Sequence, residues 1–167
     1  MSDDKTIEIL KSAILLEKRG QAFYSKIARQ TSGKAVKAFF ELMADEEVKH
    51  VDILAEQYKA YRQNEKFIPG EYQENHENSI SAKVLTKELK EEISAADYEA
   101  AAISAAIAME KNAIQLYSDR ASAATDPNEK ALYKWLAEWE RQHLNFLAEI
   151  DKELTEEVWY DNNFWPF

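Results

Sequence analysis

The first half of the chain recurs in its second half at a constant interval of 93 residues. The register runs without a gap from an aspartate near the start of each copy, Asp4 and Asp97, to a shared Leu-Ala-Glu at 54–56 and 147–149. The polar pairs that it aligns are Glu17 with Glu110, Tyr24 with Tyr117, Glu47 with Glu140, and His50 with His143. A repeat of this length predicts one structural unit present twice, with the copies joined by the stretch between them.

Each unit is predicted to be a helical hairpin. In the first copy, apolar residues recur at helical spacing over about 4–29 and 34–62. In the second copy, helices are predicted over about 95–124 and from the start signal Asp126-Pro127 to about 153. The chain has three glycines and three prolines, too few breakers for a many-turned β fold.

A long polar stretch separates the two hairpins. It covers about 63–81 and is too long for an ordinary helix–helix connection, and a short helical piece over about 82–92 follows it. We therefore expect an all-α protein, a four-helix bundle made from a duplicated hairpin with a long crossover between its second and third helices.

One domain is expected over residues 1–155. Residues 156–167 form a separate, aromatic-rich tail that would be costly to leave in solvent. We expect this tail to dock on the bundle or on a partner subunit, and a docking peptide for another protein is the alternative.

The repeat picks out polar residues that an apolar core would not favour. Each copy has a glutamate on its first helix and a Glu-x-x-His motif on its second. Residues three apart lie on one helix face, so each motif can direct its carboxylate and its imidazole at the same point. A single such motif is weak support for a metal site, but two copies with matching glutamates predict a dinuclear centre. The six candidate ligands are Glu17, Glu47, His50, Glu110, Glu140 and His143.

Charge balance favours two divalent cations at this centre. Four buried carboxylates without compensation would be prohibitive, and two divalent ions would neutralise them while the imidazoles complete one ligand set per metal. Carboxylate and imidazole ligands suit iron or manganese and suit copper(I) poorly.

Other polar residues near the motifs receive simpler interpretations. Tyr24 and Tyr117 lie two turns beyond Glu17 and Glu110, so they share the inward face as core tyrosines whose hydroxyls can bind ligand carboxylates. Gly20 and Ala113 are small and leave room beside the metals or allow close helix packing. The remaining candidates, His76, Glu46 and Glu138, are interpreted as surface residues.

Composition excludes several function classes. A net charge of −10 argues against nucleic acid as a partner, because nucleic-acid affinity comes mainly from clustered Lys and Arg. The absence of cysteine rules out a disulfide framework, a thiolate nucleophile and Cys-ligated metal centres in this sequence. With no apolar run of bilayer length and no leader-like start, we expect a cytoplasmic protein without a membrane partner.

With this ligand pattern, the chain resembles the ferritin-like superfamily and, within it, the rubrerythrin-type di-iron proteins, over about residues 4–153. The resemblance implies a ferritin-like bundle and two iron ions, with manganese or mixed occupancy as the alternative. It implies that Glu17 and Glu110 are terminal ligands, that Glu47 and Glu140 are bridging ligands, and that His50 and His143 are the terminal imidazoles.

The chain departs from that family pattern in two places. Full rubrerythrins carry a C-terminal rubredoxin-like domain with four cysteines, so a relative without cysteine implies an external electron-donor protein. They also have a glutamate three residues after the position of Glu110, where this chain has Ala113. The site is therefore more symmetric, closer to a bacterioferritin-like ferroxidase centre.

Three functions follow as hypotheses. The leading one is a non-haem di-iron oxidoreductase that reduces hydrogen peroxide or dioxygen with electrons from an external donor. The alternative within metal chemistry is a ferroxidase or iron-handling protein. From another class comes a metal-stabilised helical binding or scaffold module. A homodimer is the expected assembly.

Overall fold

Helices make up nearly all of the part of the chain that the structure describes. The computed structural model describes residues 2–72, 87–94 and 97–161, and these ranges contain no strand. The prediction of an all-α fold is confirmed. The helices are α1 (Ser2–Gln30), α2 (Lys34–Asn64), the short α3 (Lys87–Ser94), α4 (Asp97–Ala123) and α5 (Pro127–Asp161). Among these helices, none is long and apolar enough to cross a membrane.

The sequence predicts the start of α5 correctly but not its end. Asp126 caps its first turn, because Asp126 Oδ1 accepts hydrogen bonds from the backbone N–H groups of Asn128 at 2.8 Å and Glu129 at 3.4 Å. The predicted end near 153 is wrong, since the helix continues to Asp161. No glycine or proline between 154 and 161 interrupts it. The predicted docking of the aromatic tail concerns side chains that lie outside the described residues.

The two hairpins pack with their chain directions alternating. α1 packs mainly on α2, and α4 packs mainly on α5. The Thr31 hydroxyl donates to Glu99 at 2.8 Å, which places the start of α4 beside the end of α1. The Asn128 side chain donates to the carbonyl of Phe67 at 3.3 Å, which places the start of α5 beside the end of α2. The connection from α2 to α4 therefore has to return along the bundle, as the long crossover predicts.

The short helix α3 belongs to this connection and contributes to the bundle. Leu89 is fully buried in the core. Glu92 accepts a hydrogen bond at 3.0 Å from the backbone N–H of Val36, in the first turn of α2. Gly33, the N-cap residue of α2, has no side chain that could cap the helix itself. A Cβ at Gly33 would lie 2.3 Å from a Glu92 oxygen, so glycine leaves space for this cap from a distant segment.

The core consists of two apolar clusters. One contains residues from the second half of α1 and the start of α2, and the other contains residues from the first half of α1 and the end of α2. The first includes Tyr24, Phe39, Phe40, Met43, Leu89, Ile103 and Leu147, and the second includes Leu10, Leu54, Phe67, Tyr117, Leu132, Tyr133 and Leu136. The middle of the bundle, between these clusters, is occupied by buried polar side chains.

Candidate metal centre

The six candidate ligands all lie in this polar layer. They come from the middle of the four long helices, and each is at most 3% exposed to solvent. α1 and α4 each contribute one glutamate, and α2 and α5 each contribute a glutamate with a histidine three residues later. The structure therefore brings together, from four helices, the residues that the repeat singles out. Burial of this many ionisable groups requires either shared protons or bound cations.

The ligand atoms form two overlapping groups of four residues. In each group, one ligand atom per residue lies within 4.8 Å of the others. The first group is Glu17, Glu47, His50 and Glu140, and the second is Glu47, Glu110, Glu140 and His143. Because Glu47 and Glu140 belong to both groups, the arrangement can hold two cations that share two carboxylates.

Both imidazoles direct the same ring nitrogen toward the carboxylates. His50 Nδ1 lies 3.2 Å from a Glu17 oxygen and 3.0 Å from Glu140 Oε1. His143 Nδ1 lies 3.3 Å from Glu140 Oε2 and 3.6 Å from a Glu110 oxygen. The two rings are nearly parallel, with their centroids 6.0 Å apart. Each half of the centre thus offers one Nδ1 and its own glutamate, together with the shared pair.

The buried carboxylates and imidazoles shift one another's pKa values. Burial, with Glu140 close by, raises the pKa of Glu17 and of Glu110 well above the usual range. Burial alone would lower the pKa of His50 and His143, but the surrounding carboxylates more than offset it and raise both pKa values well above the usual range. Burial likewise opposes ionisation of Glu140, yet the two imidazoles hold its pKa well below the usual range.

The side chains present fit divalent metal ions. Within the part of the chain that the structure describes, Glu140 Oε1 and His143 Nδ1 are buried and make no hydrogen bond of standard geometry, although polar ligand atoms surround both. The donors are carboxylate oxygens and imidazole nitrogens, a set that suits iron and manganese. Four carboxylates also balance the charge of two divalent cations, and metal binding would displace the shared protons.

The two tyrosines cross from one hairpin to the other. The Tyr24 hydroxyl donates to a carboxylate oxygen of Glu110, and the Tyr117 hydroxyl donates to a carboxylate oxygen of Glu17. Burial, with the glutamate charge beside it, raises the pKa of each tyrosine well above the usual range, so both hydroxyls keep their protons. Each tyrosine therefore orients the ligand of the opposite copy.

Glu46 corrects the sequence analysis. Its interpretation as a surface residue is wrong, because Glu46 is 1% exposed and its carboxylate accepts a 2.7 Å hydrogen bond from His143 Nε2. The signal was present: Glu46 lies three residues after Met43 and four before His50, on the inward face of α2. Glu138 is exposed and pairs with Arg141, which agrees with its surface interpretation. His76 lies outside the described residues.

The outer face of His50 has different neighbours. The position equivalent to Glu46 in the second copy is Trp139. Trp135 and Trp139 meet the His50 ring edge-on, with centroids 5.7 and 5.9 Å away. Trp139 also lies 6.3 Å from the His143 ring. One imidazole is thus backed by a carboxylate and the other by indole rings.

A cavity of about 220 Å³ borders the carboxylates between α1 and α4. Glu17, Glu47, Glu110 and Glu140 line its inner side, and the exposed side chains of Arg19 and Asn112 also line it. Gly20 and Ala113, the small residues at equivalent repeat positions, both border it. A Cβ at Gly20 would lie 3.3 Å from the carboxyl carbon of Glu47, so glycine also leaves space for that carboxylate.

Comparison with known proteins identifies one family. The family model described as Rubrerythrin matches residues 8–151. No curated protein and no solved structure matches the chain. The matched range includes all six candidate ligands, both tyrosines and Glu46.

Proposed function

The chain belongs to the rubrerythrin family, and from that premise we propose that it is a non-haem di-iron oxidoreductase that reduces hydrogen peroxide or dioxygen. The observation that supports this most is the pair of overlapping ligand groups that share Glu47 and Glu140. A site that only stabilised the fold would gain nothing from a cavity bordering those same carboxylates.

The ligands would divide between two iron ions. We propose Glu17 and His50 for the first ion and Glu110 and His143 for the second, with Glu47 and Glu140 shared. When bound, two iron ions would supply the two electrons that reduction of the O–O bond requires.

The chain's own residues prepare the site for this chemistry. Tyr24 and Tyr117 hold the carboxylates of Glu110 and Glu17 by hydrogen bonds. Glu46 accepts a hydrogen bond from the Nε2–H of His143, which leaves Nδ1 of that ring free to act as a ligand. The cavity beside Gly20 and Ala113 admits a molecule as small as peroxide to the carboxylates, while the apolar clusters on both sides exclude bulk water.

The overall reaction requires a reductant. Reduction of one hydrogen peroxide consumes two electrons and two protons and yields two water molecules, and one dioxygen consumes four electrons and four protons to give the same product. The described residues include no cysteine that could relay electrons. We therefore propose an external electron-donor protein as the partner.

Anaerobic loading followed by oxidation tests the proposal. We expect two Fe(II) per chain to bind, one hydrogen peroxide to oxidise both, and an added electron donor to restore the reduced state repeatedly. Glu138→Gln, an exposed change beside the ligand Glu140, is the matched control and should leave the binding of two Fe(II) unchanged. Failure to bind two Fe(II), or binding without oxidation, would contradict the proposal.

The same experiment decides between the alternatives. Continued uptake of iron beyond two per chain would support a ferroxidase or iron-handling protein, which the symmetric ligand set also favours. Tight binding of two metals that peroxide does not oxidise would support a metal-stabilised scaffold module. Manganese or mixed occupancy, a homodimer and a cytoplasmic location also stay proposals, and metal analysis and sedimentation of the purified protein test the first two.

A further inference from the structure

A basic groove lies on the outer side of the second hairpin, away from the cavity described above. It has a volume of about 460 Å³ and is lined by α4 and α5. Its rim carries the cationic side chains of Lys130, Lys134 and Arg141, with hydroxyls from Ser118 and Ser122, and the buried Ala121 and Ala137 also line it. We refer to this surface as the basic groove.

The two lysines of the basic groove have no acidic partner among the residues that the structure describes. Lys130 and Lys134 are exposed, and neither forms an ion pair with any residue that the structure describes. Arg141 lies 3.4 Å from Glu138 and donates a 3.0 Å hydrogen bond to the Ser118 hydroxyl, which fixes it at the rim. The chain has a net charge of −10, so a concave surface with three cations is unusual in it. Such a surface attracts an acidic partner electrostatically.

The other copy of the repeat shows that the hairpin itself does not require these charges. The equivalents of Ala121, Ala137 and Lys130 are Ala28, Ala44 and Lys37, so the small residues and one lysine are shared. The equivalents of Lys134 and Arg141 are Glu41 and Val48, whereas Ser122 corresponds to Arg29. Glu41 pairs with Lys37 at 3.9 Å. At the positions that line the groove, the first hairpin thus has a net charge of +1 and the second has a net charge of +3.

The basic groove also lies close to the candidate metal centre. Arg141 follows the ligand Glu140 directly, and Ser118 follows Tyr117, which binds the ligand Glu17. Ala137 and Ala121, which line the groove, pack in the same apolar cluster as Tyr117. A redox group held in the groove would therefore be separated from the centre by about one helix diameter, roughly 10–12 Å.

We propose that the basic groove is the docking surface for a one-electron carrier protein with an acidic face. This inference rests on the proposed function, because it concerns the partner that supplies the electrons. Each docking event delivers one electron and oxidises one carrier, so two reduced carriers and two protons are consumed for each peroxide converted to two waters. Complementary charge would guide this short-lived association and set its salt dependence.

Binding of an acidic carrier tests the proposal without using turnover. The probe is a plant-type ferredoxin, an acidic iron–sulfur carrier, titrated calorimetrically into the metal-loaded protein at low and at high salt. We expect the double variant Lys130→Glu/Lys134→Glu to weaken binding roughly tenfold at low salt. The matched control Lys26→Glu/Lys37→Glu reverses two exposed lysines on the first hairpin and should change binding by less than about twofold. Circular dichroism establishes that both variants fold.

Two outcomes would overturn the proposal: no binding of ferredoxin to the wild type, whether or not the groove binds inorganic triphosphate, or equal weakening in both double variants. Oxidation of the iron-loaded wild type by peroxide in a single turnover needs no carrier. If that reaction occurs while ferredoxin binding fails, the docking proposal is wrong and the proposed function stands.

Discussion

The two histidines of the centre occupy equivalent repeat positions but have different surroundings. His143 donates from Nε2 to the buried carboxylate of Glu46, whereas the outer side of His50 packs against the indole rings of Trp135 and Trp139. A carboxylate on the outer nitrogen fixes the tautomer and makes Nδ1 a stronger ligand, while aromatic packing fixes the ring without changing its charge. The six candidate ligands are therefore the same in both copies of the repeat, whereas the residues behind the two imidazoles differ. We expect the two metal positions to have unequal affinity.

The largest effect is expected from the carboxylates that both halves share. Glu140→Ala removes a ligand atom from both overlapping groups, so both metals should bind more than about 100-fold more weakly. Glu17→Ala removes a ligand from the first group alone. Calorimetric titration with Mn(II) measures both variants. If Glu140→Ala lost one metal and kept the other at full affinity, the sharing of Glu140 would be disproved.

A smaller effect that is confined to one half is expected from Glu46. Glu46→Gln should weaken one of the two metals by about 10- to 100-fold, because His143 loses the negative charge behind its outer nitrogen. Trp139→Phe keeps an aromatic ring at the equivalent position and should change affinity by less than about threefold. The same titration resolves the two sites. Equal weakening of both metals by Glu46→Gln would argue against the asymmetry.

The shifted pKa values of the metal-free cluster predict a pH dependence of stability. Glu17, Glu110, His50 and His143 have raised pKa values in the folded protein, so they bind protons more tightly there than in the unfolded chain. Their contribution is complete below the ordinary values, about 4.3 for Glu and 6.5 for His. It is lost as the pH rises through the folded values.

Urea denaturation of the metal-free protein should therefore give a free energy of unfolding that falls from about pH 5 to pH 8. The lowered pKa values of Glu140 and Glu47 act in the opposite direction only in acid, below the ordinary glutamate value. Mn(II) should reduce or reverse this dependence, since the cations replace the protons. A metal-free stability that rose across the same range would contradict this account of the cluster.

The smallest effect is expected where the two copies differ by one methyl group. Gly20 in the first copy corresponds to Ala113 in the second, and a Cβ at Gly20 would lie 3.3 Å from the Glu47 carboxyl carbon. Gly20→Ala should shift that carboxylate and slow single-turnover oxidation by peroxide by a few-fold, about 1 kcal/mol or less. Ala113→Gly, the reverse change in the other copy, is the control. No effect of Gly20→Ala would show that Glu47 can yield at this contact.

Much of the fold could be predicted because the repeat and the helical spacing reinforce each other. The Asp126-Pro127 start signal marks the beginning of α5 within one residue, since a local capping bond determines it. The sequence does not predict the end of α5, because the helix continues where the apolar pattern fades. The sequence also does not predict that Glu92 caps α2, because Glu92 lies in a segment far from α2 along the chain.

The candidate site could be predicted in its composition but not in its outer contacts. The structure brings the six repeated residues together, while their role as ligands stays a prediction. The sequence places Tyr24 on the inward face, but only the packing of the two hairpins directs it to Glu110 instead of its own helix. The sequence predicts Glu46 to be on the surface because it is charged, although its position lies on the buried face of α2.

Anomalous diffraction from a crystal of the Mn(II)-loaded protein tests the central claim most directly. We expect two peaks per chain in the middle of the bundle, one beside Glu17 and His50 and one beside Glu110 and His143, with Glu47 and Glu140 between them. We also expect lower occupancy at the His50 peak when metal is limiting. A single peak, or peaks that involve neither histidine, would contradict the central claim.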